Sequence, residues 1–189
     1  MKREKFALRF KNLILVLMLL LGIAIANGPP SFEKVCKDYG VECELIRIYT
    51  EDGRPNAFSR NGDGTIYIKN DMDKLLSKSE WNSILYHELA HIVLQHSKRM
   101  EEAQLLMKST QGRTLNQYEW CHIRREQEYE ADAFTVEIAK RYGVPSHLDE
   151  AFIRLFPKEK FKEEYCTHPS FNRRIEYIRE LEKKYNVGT

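Results

Sequence analysis

Trp81-Asn82-Ser83-Ile84-Leu85-Tyr86-His87-Glu88-Leu89-Ala90-His91-Ile92-Val93 is the stretch that decides the fold. Trp81, Ile84, Leu85, Leu89, Ile92 and Val93 recur at spacings of three and four, and neither Pro nor Gly interrupts residues 79–98. That pattern predicts one continuous helix with a buried face. Ser77 and Ser79 both qualify as its N-cap. Ser79 has Asn82 three residues on, so no capping box is expected there. His87 and His91 lie four apart, one turn above the other on the same face, and can aim two imidazoles at one ion. Glu88 sits at the edge of that face. Hiding two histidines and a glutamate among apolar residues is costly unless they have partners.

A second helix is expected over residues 118–141, with Gly143 and Pro145 as stop signals. On it Glu128 and Asp132 share a face, and the small Ala131 between them permits close approach to the first helix. Composition alone reads this run as a solvated acidic face. The upstream H-E-x-x-H reverses that reading. A catalytic zinc takes three protein ligands and keeps a fourth position open, so His87, His91 and Glu128 are the expected ligands of one Zn2+ per chain. Asp132 is the expected acceptor behind one of the two imidazoles. Zinc lowers the pKa of a water to about 7, which suits Glu88 as a general base.

His87-Glu88-Leu89-Ala90-His91 followed by Glu128-Tyr129-Glu130-Ala131-Asp132 resembles the gluzincin metallopeptidases typified by the heat-shock protease HtpX and the CaaX prenyl endopeptidases. Pro55-Asn56-Ala57-Phe58 with Gly64-Thr65-Ile66-Tyr67-Ile68, and Thr167-His168-Pro169-Ser170 with Arg174-Ile175, match further segments of that family. The resemblance implies that residues 65–69, with Thr65, Ile66, Tyr67 and Ile68, form the edge strand that pairs with an extended peptide. It implies that His168 lies near the scissile carbonyl as an oxyanion stabiliser; a structural His packed beside Pro169 is the alternative. Arg174 is expected as a salt-bridge partner of the acidic cluster. Membrane members carry spanning helices, some of them between the two motif helices. Here residues 97–117 include Lys98, Arg99, Glu101, Glu102, Lys108 and Arg113 and cannot cross a bilayer. The chain therefore resembles a minimal, soluble version of the catalytic domain.

At the N-terminus Lys2, Arg3, Lys5, Arg9 and Lys11 precede an apolar run over residues 13–26 that ends in Ala24-Ile25-Ala26. This is the layout of a secretory signal peptide over residues 1–26, with an uncleaved anchor as the alternative. A catalytic domain over residues 27–189 is then secreted or periplasmic, or tethered outside the cytoplasm. Membrane contact is expected only through that uncleaved segment. The leader holds five of the 30 basic and one of the 28 acidic residues, so the formal +2 becomes 25 against 27, or −2. No basic stripe points to nucleic acid. All four cysteines fall in the exported part. Of the three possible pairings, Cys36–Cys43 and Cys121–Cys166 are favoured, the second because it would hold Thr167 and His168 near the metal.

Helices are also expected over residues 32–39, 72–76, 101–108, 147–156 and 172–185, and strands over 44–49 and 65–69, the latter entered through the Asn61-Gly62-Asp63-Gly64 turn. The sum is a mainly helical α+β zincin-type domain with a small sheet whose edge strand borders the cleft. His96, about 140° round the helix from His91, is expected to face elsewhere, and His122 and His147 are also expected as non-ligands. The leading expectation is a zinc endopeptidase acting on peptide or protein substrates. The alternatives are a non-catalytic binding module, or a latent enzyme blocked by its tail around residues 184–189.

Overall fold

The computed structural model describes residues 30–60, 62–156 and 166–187. The expected leader and the last two residues of the tail lie outside these. No helix among the described residues is long and apolar enough to cross a membrane.

Three strands, β1 (Glu44–Ile48), β2 (Asn56–Ser59) and β3 (Thr65–Lys69), form one sheet in the order β1-β3-β2. Ile66 and Ile68 are buried against the helices while Tyr67 points to the other face, the period-two pattern of a half-covered strand. The topology corrects one expectation. Residues 65–69 are the central strand, because β1 pairs with one side in parallel and β2 with the other in antiparallel register. The edge role falls to β2. Gly64 adopts φ +91°, and a Cβ there would run into the backbone carbonyl of Glu42. Only glycine admits the chain to β3 at this point.

The helices are α1 (Phe32–Asp38), α2 (Lys78–Val93), α3 (His96–Gln111), α4 (Gln117–Tyr142), α5 (Leu148–Leu155) and α6 (Phe171–Tyr185). Residues Met72–Leu75 form a single 3-10 turn. Of the two N-cap candidates it is Ser77, two residues before Ser79, that starts α2, and it makes a full capping box with Glu80. The uninterrupted helix expected over residues 79–98 is broken. Gln95 takes a left-handed φ of 54°, and the chain restarts as α3 at a new angle.

Ala90 of α2 and Ala131 of α4 are both fully buried, so these two helices pack closely. One apolar cluster on their flank gathers Ile68, Ile84, Val136, Leu148, Phe152 and Ile178. A second gathers Phe32, Val35, Ile66, Leu85, Leu89 and Ile138. α2 contributes to both clusters, which places its H-E-x-x-H face inside the domain. Both favoured disulfides are present, and Cys121–Cys166 ties α4 to the segment leading into α6. Val187 folds back onto the first cluster, and none of residues 184–187 lines the cleft described below.

Candidate metal centre

The i,i+4 spacing on α2 turns the Nε2 atoms of His87 and His91 toward one point, 3.2 Å apart. α4 brings Glu128 to the same point. Its Oε2 lies 3.3 Å from His87 Nε2 and its Oε1 3.6 Å from His91 Nε2. These form the only group of three His, Cys, Asp or Glu side chains among the described residues that can hold a metal ion. A tetrahedral ion with N and O ligands at about 2.0–2.2 Å separates its donors by about 3.3–3.5 Å. The three side chains fit that demand without rearrangement. With both imidazoles neutral, as metal ligands must be, and the three buried carboxyl groups of Glu88, Glu128 and Asp132 ionised, one buried guanidinium, Arg174, faces them, and a divalent cation offsets the difference.

Each imidazole is held from behind. His87 Nδ1 lies 3.1 Å from Asp132 Oδ1. Arg174 grips Asp132 with two hydrogen bonds of 2.8 and 2.6 Å and reaches Glu128 Oε2 at 3.0 Å. His91 Nδ1 lies 2.7 Å from His96 Nδ1. His96 therefore does not face elsewhere. The break at Gln95 cancels the 100° per residue that an unbroken helix would have imposed and swings the ring back against His91. His122 stacks on Tyr118 and His147 bonds Glu150, so neither joins the site.

The surroundings set the protonation states. Burial opposes a charged His87, but its hydrogen bonds to the Asp132 and Glu128 carboxylates outweigh that and raise its pKa to about 9. Burial holds His91 neutral. Burial opposes ionisation of Glu128, yet Arg174 and His87 win and keep it a carboxylate. Burial pushes Glu88 up to about 7, against the pull of His87.

Glu88 Oε2 accepts a 2.8 Å hydrogen bond from the Ser59 N–H at the end of β2. Ser59 was not foreseen: a backbone amide leaves no mark in a sequence. The cleft in front of these groups encloses about 690 Å³. Residues 56–59 of β2 form one wall, and Phe152, Leu155, Phe156 and Phe171 form another. None of Thr65, Ile66, Tyr67 and Ile68 reaches it, because β2 stands between. His168 sits at the mouth, half-exposed, with Nε2 3.6 Å from Glu128 Oε1 and Nδ1 2.6 Å from the Thr167 hydroxyl.

A sequence model of peptidase family M48 matches residues 31–182. The chain belongs to peptidase family M48. This is the family of HtpX and the CaaX prenyl endopeptidases, and membership makes the chain a metallopeptidase in general terms. The match runs from α1 into α6, so both motif helices, the sheet and the His168 segment fall within the M48 region. No curated protein is significantly similar in sequence.

Proposed function

We propose that this M48 chain is a zinc endopeptidase with His87, His91 and Glu128 as the metal ligands. The observation that carries the reading is the ligand triangle with Glu88 held beside it by the Ser59 amide. Zinc, when bound, supplies a Lewis acid that polarises the scissile carbonyl and acidifies a water. Glu88 takes the proton of the attacking water and returns it to the leaving amine. Burial raises the Glu88 pKa, which makes it a stronger base. His168, at the mouth of the cleft, is placed to donate to the oxyanion. Among the described residues β2 pairs on one side only, with β3, so an extended substrate adds beside Asn56–Ser59.

The aromatic wall of Phe152, Phe156 and Phe171 favours substrates that present apolar side chains, as misfolded proteins do. The reading places the enzyme outside the cytoplasm, with residues 1–26 as its leader. Two disulfides are in keeping with an oxidising compartment.

The test pairs metal content of the purified chain with casein cleavage in the presence and absence of a chelator. One zinc per chain and chelator-sensitive cleavage are expected. Glu88→Gln is expected to lower turnover by about 10²–10⁴-fold with zinc still bound. Full activity in that variant would remove Glu88 from the mechanism, and a zinc-free, folded parent chain would turn the reading toward a binding module.

A further inference from the structure

Resting on that ligand assignment, we propose that His96 is a positioning residue for the metal site: it fixes the tautomer and orientation of His91 through a relay from His91 to His96 to Glu130. His91 can bind an ion through Nε2 only if its proton sits on Nδ1. His96 Nδ1, 2.7 Å away, is then the acceptor. That leaves the His96 proton on Nε2, which donates to Glu130 Oε2 at 3.0 Å. Arg99 holds the Glu130 carboxylate from the other side, with Nη2 3.0 Å from Oε1. Every donor along this line meets an acceptor, and the single direction that satisfies all of them is the one that frees His91 Nε2 for metal.

The backbone is arranged to keep His96 there. The ring is 1% exposed although it opens a helix that is otherwise exposed or half-exposed. The left-handed Gln95 turns the chain so that the ring doubles back. Gln127, also 1% exposed, donates from Nε2 to the His96 carbonyl at 2.9 Å and pins the turn to α4. A buried histidine whose two nitrogens and carbonyl are all engaged, and whose ring touches a ligand imidazole, has more support than packing alone needs. Glu128 and its neighbours on α4 thus divide the work. Gln127 clamps the turn, Glu128 meets the ion, and Glu130 and Asp132 each stand behind one histidine.

The experiment measures zinc affinity of the full chain by competition with a chromophoric chelator, for the parent, His96→Ala, His96→Gln and Glu130→Gln. Unfolding of each zinc-free chain serves as the fold control. Orienting partners of metal ligands typically contribute 10–100-fold in affinity, so His96→Ala is expected to weaken zinc binding by about that factor. Glutamine also offers one acceptor and one donor, so His96→Gln is expected to recover most of the loss. Glu130→Gln, at a carboxylate 40% exposed, leaves the fold intact and is expected to weaken zinc less than His96→Ala but measurably. It keeps the proposal testable if His96→Ala does not fold. Parent-like affinity in folded His96→Ala, or in Glu130→Gln if His96→Ala fails to fold, overturns the relay. Equal loss in His96→Ala and His96→Gln also overturns it, because the ring would then matter for packing only. A parent chain that binds no zinc defeats the ligand assignment instead, a result distinct from any of these.

Discussion

His87 and His91 present the same atom to the same point, but the chain secures them by different means. Behind His87 stands one carboxylate, Asp132, fully buried and gripped twice by Arg174, itself 2% exposed. Behind His91 stands a second ring, then Glu130 at 40% exposure, then Arg99 at 47%. The first support is short, dry and shared with Glu128. The second is long and ends in water. Charge pairs in a dry interior are expensive to break, whereas exposed ones are screened and worth little. The His87 side therefore carries the integrity of the domain, and the His91 side mainly sets the orientation of one ring.

The sharpest way to break this asymmetry is Arg174→Ala. It strands two buried carboxylates, and about 3–5 kcal/mol of stability is expected to disappear, read as a drop in urea midpoint of the zinc-free chain. A loss below about 1 kcal/mol would mean that water reaches Asp132 and that the two supports are alike. Next comes Asp132→Asn, which keeps the volume but weakens the acceptor behind His87. Zinc affinity is expected to fall by about 10–100-fold in the same chelator competition, with His87 turning more freely. The smallest effect belongs to Arg99→Ala. Stability is expected to change by no more than about 1 kcal/mol, and any change should shrink further in high salt. A large, salt-insensitive cost there would move the relay from the surface into the interior.

Much of the His87 side is legible in the sequence, because regular helices convert spacing into geometry. His87 with His91, and Glu128 with Asp132, are i,i+4 pairs, and the two helices that carry them are long and periodic. The same regularity sets Cys121 two turns before Glu128 on one helix, so its bond to Cys166 brings Thr167 and His168 to the metal side. The His91 side is hidden by one residue. Gln95 is neither glycine nor proline, yet it takes a left-handed turn, and every angle projected past it fails. The substrate edge is hidden differently. Asn56-Ala57-Phe58-Ser59 is too short to show alternation, and its key group is an amide that every residue but proline possesses. Ser77-Lys78-Ser79-Glu80 carries the S-x-x-E capping pattern, and Ser77 is one of the two N-caps the sequence allows.

Arg174 also dates the site. It lies on the last helix, while the groups it neutralises lie on α2 and α4. A chain emerging from the ribosome has both motif helices available long before residue 174 appears. Until then Glu128 and Asp132 lack the guanidinium that pairs with both of them. The metal site is therefore complete only once the last helix has joined it. Truncations ending before residue 171 are expected to remain open to added protease and to bind zinc poorly, while the full chain resists digestion. A truncated chain as resistant as the parent would show that the last helix is not needed to close the site.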